Sequence, residues 1–406
     1  MRQQQAIQKL WRFAGIYGWQ RALNKAVARK RPAWIRPTWI RSAWLSPIWQ
    51  GRENPLRRAN PRRAEVSVIG CGQFAFSCVC FYIQKHNGAV FLTAFDTDPK
   101  RAATLGRYYG FRQIGTSATD VFTNPGIRLL YVVSNHASHT SYAIEGLKRG
   151  IDVYVEKPVS VNYEQLVQLS AAQRSATGRL FAGYNRPYST AIQTIREQII
   201  ASAPAGGFSL SYFINGHLIP DDHWYREPDE GTRVCGNLGH WIDLTIHIWQ
   251  WRSLPDWVDI QIAYANLNEP DDNLCVTFTT NKHDVVSMML TARTEPFEGI
   301  SESINLQYGD LIARIDDFRT LTLWQGNQRL DYRYRPKNVG HERAVMQPYS
   351  TGNRDWHEVS VSTLLMLHIK DMVLERRSAS RFELQLQVTQ LGTDIHHALT
   401  TPVTVS

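Results

Sequence analysis

The pattern of hydrophobic and polar positions changes at Ala64, from a stretch with no steady period to a regular alternation of short apolar runs and helical stretches. The runs that predict buried strands in the first part of this region are Glu65–Ile69, Val90–Phe95, Arg128–Ser134, Asp152–Val155 and Arg179–Ala182. The intervening stretches that predict helices include Phe74–Gln84, His139–Arg149 and Asn162–Arg174. Strands that alternate with helices predict a doubly wound parallel sheet, with a ligand site at the carboxyl ends of its strands.

The remainder of the chain predicts a second kind of sheet. Its strand-like runs are Phe208–Phe213, Trp257–Tyr264, Leu274–Thr279, Val285–Leu290, Ile304–Tyr308 and Leu321–Trp324. Alternating runs separated by turn residues predict an open-faced antiparallel sheet with helices on one face, and two closing helices at about 355–376 and 385–399 are expected to return to the first domain. The predicted fold class is α/β plus α+β: a leader at 1–63, a doubly wound domain at 64–186 and an α+β domain at 187–406.

Charge is concentrated at the start of the chain. The net charge is +9, but residues 1–63 hold 15 Lys and Arg against the single acid Glu53, which gives +14 and leaves −5 for residues 64–406. A nucleic-acid enzyme would carry its positive charge around the active site. Because the body is mildly acidic, we expect no nucleic-acid partner.

The leader is also rich in tryptophan. Four tryptophans recur every five residues in RPAWI, RPTWI, RSAWL and SPIWQ, a period of neither helix nor strand, and the prolines there exclude an ordinary helix. Residues 8–28 lack proline, and their apolar set can line a basic helix: Leu10, Trp11, Ala14, Tyr17, Ala22 and Leu23. Arg interleaved with Trp suits a membrane surface or an acidic protein partner. A loosely packed extension and a targeting segment are the alternatives.

The apolar runs and the cysteines of the sequence indicate the cellular compartment in which the protein is expected. No apolar run approaches the roughly 20 residues of a membrane-spanning helix. The five cysteines are odd in number and form no CxxC pair, which argues against a disulfide framework and a thiolate zinc site. We therefore expect a cytoplasmic protein that the leader can hold peripherally at a membrane.

The first strand is followed directly by the glycine turn Gly70-Cys71-Gly72-Gln73-Phe74-Ala75. A strand, a glycine turn, a helix and a second strand are the context of a dinucleotide-binding fingerprint. In this interpretation Gly70 allows the tight turn, Gly72 lets the backbone approach the pyrophosphate, and Ala75 permits close packing of helix on strand. Gln73 and Phe74 then lie at the helix start, whose free N–H groups attract phosphate.

The second strand ends at Asp96, which is 21 residues after Ala75. An acid at this distance accepts hydrogen bonds from the adenosine ribose hydroxyls, which favours NAD over NADP. Lys100 and Arg101 follow closely enough to leave NADP open. Other candidates for the cofactor site follow the next strands of the predicted sheet: Ser134, Asn135, His139, Glu156 and Lys157.

Four segments together resemble one family: GCGQFA at 70–75, SNHASH at 134–139, EKP at 156–158 and GYNRPYS at 183–189. They are similar to the glucose–fructose oxidoreductase / inositol dehydrogenase (Gfo/Idh/MocA) family, over about residues 64–400. The resemblance implies a Rossmann domain followed by an open-faced antiparallel sheet, whose other face can form a homo-oligomer. It also implies hydride transfer between NAD or NADP and a carbon of a sugar, polyol or nucleotide-sugar-like substrate.

The resemblance also assigns residues. It places Lys157 beside the nicotinamide and the reacting hydroxyl, with Pro158 usually cis, and puts Asn185 and Arg186 on the substrate side of the cleft. Residues 221–243 resemble a second signature that ends in His240 and Asp243.

The second signature departs from the family pattern at one position. Many relatives have a carboxylate three or four residues before the histidine, where this chain has Asn237 and Gly236. Asn237 can hydrogen-bond a substrate hydroxyl but cannot exchange protons, which puts a carboxylate relay in doubt.

Lysine chemistry suits the predicted reaction. Oxidation of an alcohol carbon needs a group that withdraws the hydroxyl proton, and an ammonium stabilises the developing alkoxide. We assign that role to Lys157, with His240 as its proton partner or orienting group. His240, Asp243 and His247 share a helix face and suggest a metal, but their apolar neighbours favour a packed helix, so we expect no metal.

Two function hypotheses follow. The first is a sugar-type dehydrogenase or reductase. The second is a cofactor-binding scaffold or regulatory protein of the same fold with little turnover, docked to a membrane or partner through its leader. Asn237 and the long leader are the features that favour the second hypothesis.

Overall fold

The computed structural model describes residues 2–30, 64–202, 206–266, 268, 271–294 and 299–400. The tryptophan repeat at 31–50 and the arginine-rich linker at 57–63 lie outside the described residues. The described chain forms two sheets with helices packed on them, and a pair of N-terminal helices.

The first sheet is parallel and has six strands in the order β3-β2-β1-β4-β5-β6. Its strands β1 to β6 are Val66–Ile69, Phe91–Phe95, Gln113–Ile114, Leu129–Val132, Asp152–Val155 and Leu180–Ala182. The first connection begins with a π-helix, Ala75–Val79. The α-helices between the strands are Cys80–Asn87, Pro99–Tyr109, Ala118–Phe122, His136–Lys148 and Tyr163–Ser175. The strand order reverses between β1 and β4, which is where a doubly wound sheet opens its ligand crevice.

The predicted strands recur in this sheet, Asp152–Val155 with the predicted bounds and the other four with ends one or two residues shorter. The edge strand Gln113–Ile114 was not predicted, because two exposed residues carry no pattern of alternation. The helix starts follow capping chemistry: the Asp98 carboxylate accepts from Lys100 N–H at 2.9 Å, and Asn162 Oδ1 accepts from Gln165 N–H at 2.9 Å.

The second sheet has nine strands in the order β14-β13-β12-β11-β7-β10-β9-β8-β15. Strands β7 to β15 are Phe208–Asn215, Val258–Tyr264, Leu274–Thr280, Val285–Thr291, Ser301–Tyr308, Leu311–Asp316, Thr320–Gln325, Gln328–Arg333 and Ala379–Phe382. The predicted pairing was wrong at one place, since β7 and β10 are parallel. A crossover that includes helix Gly239–Trp249 joins the two regions, and strand period does not reveal such a crossover.

Burial alternates along these strands, which leaves one face of the second sheet open. Helices Gly239–Trp249 and Trp356–Leu374 pack on the other face, and the largest side chains of that core are Trp241 and Trp249, both fully buried. The remaining helices of this domain are Thr190–Ser202, His341–Val345 and Leu384–Thr400. A doubly wound parallel sheet followed by a mostly antiparallel open-faced sheet confirms the predicted fold class.

The C-terminal helix contacts the first domain. Leu384–Thr400 packs beside Tyr163–Ser175, and Tyr163 Oη donates to Asp394 Oδ2 at 2.7 Å. Across the described parts of the chain, no helix combines the length and apolar character that crossing a bilayer requires.

The N-terminal residues form two helices, α1 (Arg2–Tyr17) and α2 (Trp19–Lys30), separated at Gly18 with φ +83°. Only part of the predicted apolar set is buried, namely Ala14 and Ala22, whereas Trp11 is 62% exposed. On α2 the side chain of Asn24 donates to the carbonyl oxygen of Phe76 at 3.2 Å. This helix pair, called the N-terminal hairpin below, therefore packs directly on the doubly wound domain.

Candidate active site

The carboxyl ends of the parallel strands open into a cleft of about 1030 Å³. Its walls come from the strand ends of the first sheet, the helix that begins at Gly239, and the N-terminal hairpin. Predicted site residues in the lining are Gly70, Gly72, Gln73, Phe74, Asp96, Ser134, Asn135, His139, Glu156, Lys157, Asn185, Arg186, Asn237 and His240. Ala75 lies beneath this surface and is fully buried, as close packing of helix on strand requires.

The glycine turn has one crowded and one open position. Gly70 has φ +89°, and a Cβ there would lie 2.4 Å from the backbone of Val133 and Ser134, so only glycine fits. A Cβ on Gly72 would meet no atom within 4 Å. The turn is therefore tight on the protein side and open toward the cleft, where backbone N–H groups at the helix start face a ligand.

Asp96 is held at the end of its strand by two backbone donors. Its Oδ2 accepts from Cys71 N–H at 2.7 Å and its Oδ1 from Asp98 N–H at 2.8 Å. A carboxylate has about four acceptor sites, so both oxygens retain capacity for ribose hydroxyls. Arg101 also lines the cleft, and its Nε lies 3.4 Å from Asp98 Oδ2.

Residues after β4 are ordered by hydrogen bonds to a loop of the second domain. Asn135 Nδ2 donates to Glu230 Oε1 at 2.6 Å, and the His136 ring lies 3.0 Å from the Glu230 carbonyl oxygen. Ser134 accepts from Ser138 Oγ at 2.7 Å. The bonds to Glu230 join the two domains beside the cleft.

His139 is buried between two carbonyl oxygens, those of Pro158 at 2.9 Å and Ser134 at 3.1 Å. Burial lowers its pKa to about 4, so the ring is neutral and donates from only one nitrogen. Its role in this geometry is to connect the ends of two strands.

Glu156 and Lys157 lie at the end of β5, before a cis peptide bond to Pro158. Burial raises the pKa of Glu156 to about 7, and Tyr154 Oη donates to its Oε1 at 2.7 Å. Lys157 Nζ points into the cleft and donates to the carbonyl oxygen of Gly236 at 2.7 Å. The ammonium is thus fixed between the two domains.

Two buried polar atoms of the second domain belong to residues that line the same cleft. Asn237 Oδ1 and His240 Nδ1 are buried, and neither has a hydrogen-bond partner among the described residues. Burial, followed by the charges of Arg186 and Lys157, lowers the pKa of His240 well below its usual range. Orphaned buried polar groups are costly, so such atoms indicate a polar ligand.

Asn185 and Arg186 are bound to protein groups. Asn185 Nδ2 donates to the carbonyl oxygen of Val339 at 2.6 Å. The Arg186 guanidinium makes a two-pronged ion pair with Glu302, with both N–O distances at 2.8 Å, and Trp241 Nε1 also donates to Glu302 at 2.7 Å. Both residues therefore line the cleft as fixed walls.

The helix face that suggested a metal holds an ion-pair network. Asp243 accepts from Arg354 at 2.8 and 2.9 Å, and Glu358 accepts from Arg354 Nε at 2.8 Å. His247 Nδ1 lies 2.7 Å from Glu358 Oε1. The carboxylates on this face thus have cationic partners.

Several lining residues were not predicted for the site: Phe13, Tyr17, Arg21, Lys25, Arg29, Trp224, Glu302, Lys337 and His341. His341 is fully buried, and burial with the nearby charges of Arg21 and Arg186 lowers its pKa well below the usual range. Trp224 packs against His136 with ring centroids 4.7 Å apart. No spacing links these positions to the glycine turn, since they come from four distant parts of the chain.

The residues present fit a dinucleotide. The open space over Gly72, the helix start behind it and the acid at Asp96 correspond to the pyrophosphate and ribose positions of such a ligand. Lys157 and the orphaned atoms of Asn237 and His240 lie farther along the same cleft, where the reacting end would be placed.

Comparison with known proteins identifies the first domain. Residues 64–184 match the model of an oxidoreductase family with an NAD-binding Rossmann fold, GFO_IDH_MocA. An inositol 2-dehydrogenase of Ralstonia nicotianae is 23% identical over 205 residues, which is 49% of this chain and 57% of that protein. One of Burkholderia vietnamiensis is 25% identical over 54% of this chain and 66% of its own length. The chain thus spans less than two thirds of these relatives.

Solved structures share the whole two-domain fold. A UDP-N-acetylglucosamine 3-dehydrogenase from Acidithiobacillus ferrooxidans has a TM-score of 0.62 at 17% identity, covering 76% of this chain and 97% of its own. A levoglucosan dehydrogenase in complex with NADH and levoglucosan has a TM-score of 0.62 at 13% identity, covering 77% and 96%. Identities this low establish fold alone. The model matched over residues 64–184 confirms the predicted resemblance of the Rossmann domain to the Gfo/Idh/MocA family of oxidoreductases.

Proposed function

We propose that this chain is an NAD(P)-dependent oxidoreductase that transfers a hydride between a nicotinamide cofactor and a hydroxyl or keto carbon of a sugar, polyol or nucleotide-sugar-like substrate. The observation that carries this proposal is the position of Lys157, Asn237 and His240 in the cleft that the glycine turn opens. The names of the relatives, inositol 2-dehydrogenase and levoglucosan dehydrogenase, support the substrate class.

The first domain supplies the cofactor site. The turn at Gly70 and Gly72 offers backbone N–H groups to the pyrophosphate, and Asp96 accepts from the adenosine ribose hydroxyls. The acid favours NAD, and Lys100 and Arg101 leave NADP open. When bound, the nicotinamide ring supplies the hydride acceptor or donor.

Lys157 handles the hydroxyl proton. An ammonium has three N–H donors, and the Gly236 carbonyl accepts one of them. The others are available to a substrate oxygen in the cleft, where the charge stabilises an alkoxide as it forms. In the oxidation direction Lys157 passes one of its protons to the neutral His240 ring and takes the hydroxyl proton in its place, and in reduction both transfers reverse.

The second domain orients the substrate. Asn237 Oδ1 accepts a hydrogen bond from a hydroxyl, which satisfies an atom that the protein leaves without a partner. His240 is neutral at pH 7, because its pKa lies well below the usual range. Its Nδ1, which has no partner among the described residues, hydrogen-bonds the substrate from the same wall. An amide at position 237 exchanges no proton, so this chain relies on Lys157 and His240 for that task.

Titration with NADH and NADPH tests the proposal first, followed by a panel of sugars, polyols and nucleotide sugars. We expect saturable binding of one cofactor and turnover with one substrate group. Failure to bind either cofactor at millimolar concentrations would remove the enzyme proposal. Binding without turnover across the panel would support the scaffold hypothesis instead.

Features outside the cleft carry further proposals. The leader at residues 1–63 remains a predicted docking segment for a membrane surface or a protein partner of a cytoplasmic enzyme. The open face of the second sheet supports a homo-oligomer, because it exposes apolar side chains: Phe213, Val285, Met289 and Ile312. Vesicle sedimentation and light scattering test these two proposals separately.

A further inference from the structure

The N-terminal hairpin lines the cleft with a row of side chains from each of its two helices. Phe13, Tyr17, Arg21, Lys25 and Arg29 are four residues apart and all line it. Side chains four apart on one helix share a face, so the row on α1 is aromatic and the row on α2, beyond the break at Gly18, is cationic. The cationic part lies in the same cleft as Gly72, Gln73 and Phe74.

The composition of α2 indicates an anionic partner for this face. Its sequence, WQRALNKAVARK, contains basic residues and no acid. Like charges four residues apart destabilise a helix by about 0.2–0.5 kcal/mol per pair. The side of α2 that lines the cleft therefore carries three cations and no acid of its own.

Aromatic rings lie against two of these cations and orient them. The Arg21 guanidinium lies 5.2 Å from the ring centroid of Tyr17 and 5.4 Å from that of Tyr82. Lys25 Nζ lies 4.1 Å from the centroid of Phe13. A cation–π contact orients a cation and leaves its charge in place.

One acid, Glu342, contributes to the electrostatic environment of Arg21, and it is already paired with other cations. Glu342 contributes to the environment of Arg21, but its Oε1 lies 2.6 Å from both Lys85 Nζ and His86 Nε2. These partners help to lower the pKa of Glu342 to about 2. Its charge is therefore shared with two other cations.

Contacts on both sides fix the hairpin over the cleft. The opposite face of α2 is anchored to the first domain, where Asn24 Nδ2 donates to the carbonyl of Phe76 and to Tyr109 Oη at 3.1–3.2 Å. At the end of α1 the carbonyl of Ile16 accepts from Lys337 N–H of the second domain at 2.7 Å. The hairpin thus joins both domains beside the glycine turn.

We propose that the N-terminal hairpin forms a phosphate-binding wall of the cofactor cleft, with Arg21, Lys25 and Arg29 facing the pyrophosphate of the bound dinucleotide. The helix start at Gly72–Phe74 offers N–H groups from one side, and α2 offers cations from another. A diphosphate carries the charge that both sources attract. This proposal rests on the proposed function, because it assumes a dinucleotide in the cleft.

The test uses the full chain with Arg21→Gln, Lys25→Gln and Arg29→Gln combined, since glutamine preserves helix propensity. Its matched control neutralises three exposed basic residues outside the cleft lining, Arg107→Gln, Arg128→Gln and Lys148→Gln. Fluorescence titration gives the dissociation constant for NADH, and calorimetry gives those for ADP-ribose and adenosine. Thermal unfolding by circular dichroism checks that each variant is folded.

We expect the cleft triple variant to bind NADH and ADP-ribose at least about tenfold more weakly, with adenosine affinity unchanged and the control variant like wild type. Added salt should weaken NADH binding to wild type more than to the triple variant. The charge-keeping variant Arg21→Lys with Arg29→Lys should retain most of the affinity, including when the neutral variant is unstable.

Three results would overturn the wall. The first is NADH affinity within about twofold of wild type in a folded triple variant. The second is an equal loss of affinity for adenosine and ADP-ribose, which would indicate general distortion. The third is a large loss in the charge-keeping variant. Wild type that binds no dinucleotide at all would instead remove the proposed function on which this inference rests.

Discussion

Lys157 Nζ and the carbonyl oxygen of Gly236 lie 2.7 Å apart, and this hydrogen bond links the Rossmann domain to the second domain at the centre of the cleft. Gly236 is adjacent to Asn237, whose Oδ1 has no partner in the described chain. The cation is therefore positioned by the same segment that offers the orphaned acceptor. A substrate oxygen that reaches both groups would be oriented by both domains at once.

Replacing Lys157 with methionine tests its assigned role. Methionine keeps the length and apolar stem but removes the charge and the donors, so turnover should fall by at least about a hundredfold. Cofactor affinity should stay within about tenfold, because the glycine turn is untouched. Steady-state rates and NADH titration measure the two effects. Lys157→Arg is the charge-keeping control, and an unchanged rate in the methionine variant would exclude Lys157 from the mechanism.

Glu156 should make stability fall as pH rises. Burial raises its pKa to about 7, whereas a glutamate in an unfolded chain titrates near 4.3. Between these values the native state binds more protons than the unfolded state, so the free energy of unfolding decreases from about pH 4.3 to 7 and that loss is complete above pH 7. Glu156→Gln should flatten this slope and stabilise the protein at pH 8. Denaturant unfolding at several pH values measures it.

The matched control is the exposed Glu164, whose change to glutamine should leave the slope as in wild type. A Glu156→Gln variant with an unaltered slope would show that this carboxyl does not carry the pH dependence.

The Rossmann domain was predictable because its signals are local. Gly70 and Asp96 lie within one strand–helix–strand unit, so their spacing along the chain reports their spacing in space. The strand ends that hold Lys157 follow from alternation of strands and helices. For these residues, the order of strands and helices along the chain is enough to predict their positions at the edge of the sheet.

The remaining walls of the cleft depend on contacts that no local pattern records. The strand that contains Glu302 was predicted to start at Ile304, so Glu302 fell outside it. A buried acid at this position is explained by its ion pair with Arg186, which the sequence does not reveal. Arg21 belongs to the basic leader, whose few regularly spaced apolar residues left a loosely packed extension as one interpretation. Its place beside the glycine turn follows from tertiary contacts such as that of Asn24.

Arg354 should be essential for stability. Its side chain is 7% exposed and pairs with Asp243 at 2.8 Å, and the Asp243 side chain is 1% exposed. Removing one partner of such a buried pair leaves an uncompensated charge and costs about 3–5 kcal/mol. Arg354→Met should therefore lower the free energy of unfolding by about that amount, as measured in denaturant. Arg381→Met, at the exposed pair with Asp259, should have little effect; equal losses in both variants would contradict burial as the cause.

Gly70 and Gly72 should separate folding from cofactor binding, because an added methyl group meets protein at one position and open cleft at the other. Alanine at Gly70 must adopt φ +89° with its Cβ 2.4 Å from the Val133 carbonyl, so it should cost more than the roughly 1–2 kcal/mol of the backbone conformation alone. Alanine at Gly72 meets nothing within 4 Å, so its unfolding should match wild type. Its NADH affinity should nevertheless fall about tenfold or more, since the methyl group occupies the space left for the pyrophosphate. Thermal unfolding and NADH titration of both variants give the comparison. A Gly72→Ala variant with wild-type affinity would place the pyrophosphate elsewhere, and a stable Gly70→Ala variant would show that the turn can relax.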